Sequence, residues 1–502
     1  MQAKENKDEW DQHVESISQT GDGNEARSSD STSVEDAVQL PPLLHTTERN
    51  LILKIDLRVI PYPTILFLLC FLDRTNIGNA SIYGLREELH MSDLDYSTAL
   101  TMFYIPYILF EIPSNILLKK LSPHVWLSIC MFGFGVVTLC TGFIKSYAGL
   151  LALRFLLGLA EAGMVPGNVY LMGAWYKRSE AQRRFAFFFS SASLAGAFSG
   201  LLAAAIGNLS GVRGYAGWRW IFILEGAVSC AIGIIFFFFI ADFPEDTKWL
   251  TEEEREYVKA RLKAEQGSSA FEYSIKPRDI LHTFRDPKIF IAGVLHFTAT
   301  VPSYMGSYFA PVIIRSLGYS EIGTQLHTAP PWLVTFALQL IAAYVSDKLQ
   351  HRYLVAMFGV LLAIAGYAIL LSVHHNVRAQ YGALFLAFAG THLFIPIEVC
   401  WFALNLGGHR RRAVGTAWQV SFGNIGGIIA SFSFRSKDAP EYRYEFALSI
   451  GFCCFSALMC SLYAFACWYQ NRRRAAKGWG ANVTEAEKAD MGDMSPSYRY
   501  LL

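Results

Sequence analysis

The stretch Ile65-Leu66-Phe67-Leu68-Leu69-Cys70-Phe71-Leu72-Asp73-Arg74-Thr75-Asn76-Ile77-Gly78-Asn79-Ala80 decides how this chain is read. An apolar run leads straight into an acid and a base side by side, 15 residues after Arg58. A charge near a bilayer centre costs about 2.5–3.5 kcal/mol on insertion scales, so adjacent charges held there have a use.

The rest of the chain supplies the membrane around that stretch. Hydrophobic residues make up 53% and charged residues 17%, with 37 Phe and a mean hydropathy of +0.28, outside the usual balance of a water-soluble domain. The net charge of +1 excludes a dominant nucleic-acid footprint. The nine cysteines all fall inside apolar runs and form no metal-type or CxxC spacing, so they read as small hydrophobes. No cofactor loop, metal cluster or nucleophile motif is visible, which argues against an enzyme and against any cofactor.

Crossing a ~30 Å hydrocarbon core takes about 20 apolar residues. Windows of that length fall at 59–81, 96–117, 124–144, 148–170, 183–207, 219–240, 289–310, 327–346, 354–373, 381–404, 413–434 and 446–469. The expected fold is therefore an all-α integral membrane protein of twelve transmembrane helices in two six-helix bundles, 51–240 and 289–470. A polar linker, 241–288, joins them. Within it Thr251-Glu252-Glu253-Glu254 reads as a capping box that opens a charged helix running to about Gln266. Residues 1–50 form a tail too poor in large apolar residues to fold, and 471–502 a second polar tail. No apolar leader precedes the first span, which is expected to direct insertion itself.

Lys and Arg near the span ends set the orientation. Lys119, Lys120, Lys177, Arg178, Arg183, Arg184, Lys348, Arg352 and Arg410 to Arg412 collect in the loops after spans 2, 4, 8 and 10, so both termini and the linker are expected in the cytoplasm. The sequon Asn208-Leu209-Ser210 then lies outside, with Asn208 as a glycosylation acceptor.

Depth along the helices brings the intramembrane charges together. Asp73 lies roughly 21 Å from the inner edge of span 1, and Arg154 roughly 9 Å from the outer edge of span 4, at 1.5 Å per residue. The two depths match, so an Asp73–Arg154 pair is sterically open. Glu161 follows Arg154 by seven positions, two turns along one helix face. Gly163, Pro166 and Gly167 should bend the span just beyond it. Glu111 and Asn115 stand one turn apart on span 2, where they can line a cavity or bond neighbouring helices. His296, His392, Glu398, Gln419 and Asn424 leave the same choice open in the second half. Tyr304, Tyr308, Trp332, Trp401 and Trp418 can stack on a flat ligand or simply pack.

Six plus six spans resemble the major facilitator superfamily, and the loop after span 8 supports the likeness. There Asp347-Lys348 with Arg352 resembles the family's acid–base gating loop; the matching stretch after span 2, Pro113 through Pro123, keeps bases but has no acid. A closer resemblance lies in Leu72 to Ala80, Glu111-Ile112-Pro113-Ser114-Asn115, Arg154-Phe155-Leu156-Leu157-Gly158, Glu161-Ala162-Gly163, Trp175-Tyr176, Gly217-Trp218-Arg219-Trp220 and Glu225-Gly226. Together these resemble the anion:cation symporter family, and within it the fungal allantoate permease group. The resemblance implies proton-coupled uptake of a small organic anion by alternating access. It makes Arg74, Arg154, Asn76 and Asn115 substrate-binding candidates, and Asp73 and Glu161 proton-coupling candidates. The expected partners are the anion, protons and the lipid bilayer, with no nucleic acid and a functional monomer. The expected location is the plasma membrane, with the vacuolar membrane as alternative. Export of a metabolite by the same fold is the rival reading, opposed by the absence of a Gly-Pro pair in span 5. A non-transporting nutrient sensor is the alternative from another class; it has no need of titratable groups along a pathway.

Overall fold

The computed structural model describes residues 41, 45–207, 209–266, 283–349, 351–407, 409–433, 438–439, 441–476, 493, 495 and 498–502. Asn208, the expected glycosylation acceptor, lies outside the described residues, as does most of the first tail.

Helix α1 (Glu48–Val59) starts inside the segment assigned to that tail, capped by the Thr47 hydroxyl, and runs almost directly into α2 (Pro61–Ile82). The remaining long helices of the first half are α3 (Asp93–Leu121), α4 (Pro123–Thr141), α5 (Tyr147–Glu161) with α6 (Met164–Trp175), α7 (Arg178–Gly207) and α8 (Gly217–Phe237). The connector helix α9 (Glu252–Gln266) follows. The second half comprises α10 (Pro287–Ser316), α11 (Glu321–Leu349), α12 (Arg352–Ser372), α13 (Val377–Asn405), α14 (His409–Ser433) and α15 (Arg443–Ala476).

Ten of these stretches are long and apolar enough to cross a membrane among the described residues, α1–α2 and α5–α6 each counting once. The other two, α3 and α14, are 29 and 25 residues long and pack face to face between the halves. Polar side chains, Glu111 and Asn115 on α3 and Gln419 and Asn424 on α14, stand along these two helices. With these two, the described residues carry twelve helical stretches of membrane-crossing length.

Burial is inverted relative to a water-soluble protein. Leu109, Ile129, Phe238, Phe358 and Phe465 face outward, whereas Asp73, Arg74, Glu111, Arg154, Glu161 and Glu398 are buried between helices. Hydrocarbon tolerates the first set and not the second.

Span 4 breaks where the sequence placed its bend. Helix α5 ends at Glu161 and α6 begins at Met164. A Cβ on Gly163 would sit 1.8 Å from the Ser114 Oγ, so only glycine lets α3 approach this closely.

The linker helix α9 has the expected box: Glu254 N donates to Thr251 Oγ1 at 3.3 Å and Thr251 N to Glu254 Oε2 at 3.0 Å. Lys54 Nζ to Glu254 at 2.7 Å and Arg261 to Glu48 at 3.0 Å tie α9 to α1, and Arg261 also pairs with Glu180 at the start of α7. One end of the bundle therefore gathers the linker, α1 and the start of α7, and is called the linker face below. The second tail is not free either. Its Leu501 N donates to Asn405 Oδ1 at 2.8 Å, and Trp401 Nε1 donates to Leu501 O at 2.8 Å.

Candidate functional site

Adjacent helix residues point about 100° apart, so Asp73 and Arg74 cannot pair with each other and each finds a different neighbour. Arg74 turns toward α5 and α10. Its Nε and Nη2 donate to Glu161 Oε1 at 2.9 and 2.5 Å, and Nη1 donates to the Tyr304 hydroxyl at 3.0 Å. The rings of Phe103 and Tyr107 flank it, with centroids 4.9 and 5.0 Å from the guanidinium carbon. Asp73 turns toward α4, where Thr138 Oγ1 donates to Oδ1 at 3.2 Å.

Arg154 is 4% exposed, yet its Nε and Nη2 meet no hydrogen-bond acceptor. Asp73 Oδ2 and Glu161 Oε2 are likewise without a donor. The Asp73–Arg154 pair that the depths left open is thus not closed. Arg154 is an electrostatic neighbour of both carboxylates but bonds neither, while Arg74 and Glu161 form the ion pair. A buried guanidinium with open donors is costly, because its desolvation is not repaid by any hydrogen bond. Its planar fork suits a carboxylate.

Asn76 is held by a hydrogen bond to Glu225 on α8, and Asn79 Nδ2 donates to Asn76 Oδ1 at 3.3 Å. It belongs to a polar shell behind Asp73. Asn115 is half-buried and its Oδ1 has no donor. One turn earlier, Glu111 accepts from Ser421 Oγ on α14 at 2.8 Å, a bond between the two halves. Tyr304 is a second such bridge: its hydroxyl accepts from Arg74 Nη1 and donates to Asn424 Oδ1 at 3.0 Å. Tyr104 and Tyr308 join hydroxyls across the same boundary.

In the second half His296 Nδ1 bonds Glu398 Oε1, and Gln419 Nε2 donates to Glu398 Oε2 at 2.7 Å. His392 is separate, bonded to Ser303 Oγ at 3.0 Å and edge-on to Trp332. Of the aromatics, Tyr304 and Tyr308 stack on each other at 5.8 Å, next to Arg74.

At the linker face Asp347 meets Arg183 Nε of the first half at 3.2 Å, while Lys348 is exposed. Arg352 is buried, and its backbone N donates to Leu502 O at 2.7 Å. The carboxylate missing after span 2 comes from elsewhere: Asp242, beyond α8, accepts from His124 Nδ1 at 2.7 Å and from the His124 backbone N at 3.3 Å, capping the start of α4. On the opposite face Glu88 accepts from Arg219 Nη2 at 2.7 Å and from Trp218 Nε1 at 2.6 Å. The Gly217–Trp220 motif thus acts as a clamp on the loop after span 1.

Thr138, Ser421, Asp242 and Glu88 were not singled out by sequence reasoning. A hydroxyl among apolar residues is too common to mark, and Asp242 and Glu88 read as ordinary loop charges.

Residues 64–431 match the Major Facilitator Superfamily. The MFS-type transporter cnsO of Penicillium expansum is 34% identical, covering 91% of each chain. The major facilitator-type transporter hxnP of Emericella nidulans is 32% identical over 91% of this chain and 93% of its own. A bacterial homolog of the human lysosomal transporter Spinster, in an inward-facing and occupied conformation, superposes with a TM-score of 0.61 at 14% identity, over 81% of this chain and 96% of that one. The last likeness is one of fold alone. This chain belongs to the major facilitator superfamily, whose members are membrane transporters.

Proposed function

We propose that the chain imports a small organic anion together with protons, as the resemblance to the anion:cation symporters and the allantoate permease group implies. The observation that carries this reading is Arg154: 4% exposed, with open Nε and Nη2 donors, beside two carboxylates that each keep one oxygen free. An anionic substrate supplies the missing acceptor.

The cycle then follows from charge. With Glu161 deprotonated, Arg74 is occupied by it. Protonating Glu161 removes the competing charge and frees Arg74 for the anion, so proton and substrate load together. Asp73, near Arg154 but not bonded to it, is the second proton-coupling carboxylate, and its proton is not needed to free that guanidinium. Asn115, half-buried with an open amide oxygen, borders the site. Asn76 contributes indirectly, by fixing Glu225 behind Asp73. Opening toward the linker face requires parting Arg183 from Asp347. The linker face is the cytoplasmic face in this reading, the plasma membrane the site of action, and the monomer the working unit.

The test is Arg154→Lys in reconstituted vesicles, with uptake of labelled organic acids screened with and without an imposed proton gradient. Lysine keeps the charge and loses the fork, so anion affinity should fall at least tenfold while folding is retained. Unchanged affinity in the lysine variant would move the substrate site away from Arg154.

A further inference from the structure

The second half repeats an arrangement of the first. Spans 1 and 4 contribute Arg74 and Glu161, a buried base on an acid. Spans 7 and 10, the first and fourth of their own six, contribute His296 on α10 and Glu398 on α13, again a buried base on an acid. The mechanism above leaves this second pair unused.

The two pairs sit at different depths. Arg74 is 13 residues from the linker-face end of α2, or roughly 20 Å at 1.5 Å per residue. His296 is nine residues from the matching end of α10 and Glu398 seven from that of α13, roughly 10–14 Å. The histidine pair lies closer to the linker face.

Its chemistry is that of a one-proton site. With a proton between them, His296 Nδ1 and Glu398 Oε1 form a neutral unit, whether drawn as imidazolium and carboxylate or as imidazole and carboxylic acid. Loss of that proton leaves an imidazole N–H donating to a carboxylate, with a net charge of −1. Gln419 Nε2 already donates to the other carboxylate oxygen, at 2.7 Å. Gln419 is fully buried and its own Oε1 has no donor, an acceptor placed for a water that brings or removes the proton.

The groups around Glu398 do not supply a competing charge in contact. Cys460 of α15 faces it, and Cys400 stands two residues along α13. Beyond Cys400 come Arg352 of α12 and Asp347 of α11, the latter bonded to Arg183 of α7. His296 is the one cation-forming side chain that bonds Glu398 among the described residues.

We propose that Glu398, held between His296 and Gln419, is a second proton-binding site, placed between the Arg74–Glu161 pair and the linker face. It rests on the proton-coupled reading for its role in the cycle, where it takes up a proton in the half that releases toward the linker face. Each turn of the cycle then involves protonation in both halves.

Protonation is read directly, without knowing the substrate, by pH-difference infrared spectroscopy of the full chain in liposomes, using protons as the only ligand. The wild type should show a buried carboxylic-acid carbonyl band that appears and disappears with pH, lost in Glu398→Gln and kept in Glu161→Gln. Should Glu398→Gln fold poorly, His296→Gln retains the acid and should displace both the frequency of that band and its midpoint, by at least tenfold in proton concentration. Wild type and Glu398→Gln with the same titrating bands, or His296→Gln with no band displaced, would overturn the assignment. If only Glu161→Gln removes a titrating band, this second site fails while coupling through Glu161 stands; if only Glu398→Gln does, the reverse holds.

Discussion

Replacing Glu161 by Gln removes a charge and little else, and the structure sets the size of the effect. Arg74 gives Glu161 Oε1 two hydrogen bonds, at 2.9 and 2.5 Å, and one to Tyr304 at 3.0 Å. A hydrogen bond to a charged group is worth about 1.5–3 kcal/mol net, against about 0.5–1.5 kcal/mol for a neutral one. Glutamine keeps an acceptor for a guanidinium that stays charged, so only the acceptor's charge is lost; taking about 1.4 kcal/mol for that loss over the two bonds, an anion gains about tenfold in affinity at that guanidinium. Removing one partner of a buried pair outright costs about 3–5 kcal/mol of stability. The variant should lose less than that, since Tyr304 and the rings of Phe103 and Tyr107 still hold Arg74. The proposed cycle fixes the sign with pH: in the wild type, deprotonated Glu161 should compete with the anion, so binding should weaken as pH rises. In the variant it should not. Equilibrium binding and transport by purified protein in proteoliposomes provide the assay. Glu161→Gln should bind the anion about tenfold more tightly at high pH, show a flattened pH profile, sustain counterflow and fail to accumulate substrate against a gradient. Wild-type accumulation driven by an imposed pH gradient, or weaker binding that keeps its pH dependence, would refute the competition argument.

Three further outcomes test the architecture. A Cβ on Gly78 would lie 2.4 Å from the backbone oxygen of Tyr308, so Gly78→Ala should hold the halves apart away from the linker face, cutting counterflow several-fold with little change in thermal stability; undiminished counterflow would show that this contact is not part of the cycle. Glu88→Gln weakens the clamp made by Arg219 and Trp218; unfolding should show a loss of about 1–2 kcal/mol with unchanged anion affinity, because the exposed side of Glu88 screens part of the charge, and an affinity change would mean that the clamp reaches the site. Protease added to sealed right-side-out vesicles should leave the 242–288 linker intact, and cleavage there from outside would reverse the orientation.

How far the sequence could be read depended on whether a feature needed one helix or two. Span lengths, the α9 capping box and the break after Glu161 are properties of a single stretch of chain, and each was legible from composition and from Gly and Pro placement. The end of α15 and the docking of Leu501 against Asn405 were not. The tail around Leu501 is polar on average, and its attachment depends on acceptors about 100 residues away. The same limit hid the source of the first-half cap. Proline and bases after span 2 pointed to a latch without an acid, whereas Asp242 arrives from the far end of the six-helix half to cap α4 at His124.

The site divides along the same line. Depth follows from counting residues, which matches Asp73 with Arg154 and puts Glu161 two turns further along span 4. Partner choice follows from how each helix is turned about its axis, which the spacing of a single helix does not fix. A rotation of one residue exchanges Asp73 for Arg74 as the group that faces α5, and the observed turn gives Arg74 to Glu161 while leaving Arg154 without a bond. That difference alters the functional argument rather than decorating it. Had Asp73 closed on Arg154 and Arg74 on Glu161, both guanidinium groups would be satisfied and an arriving anion would have to break a pair to bind. With Arg154 open, the first contact with a carboxylate costs no existing ion pair, and only the second, at Arg74, depends on a proton. In the proposed cycle substrate entry and proton binding then fall to two different arginines, which is why Arg154→Lys should act on affinity at every pH whereas Glu161→Gln should act on its pH dependence.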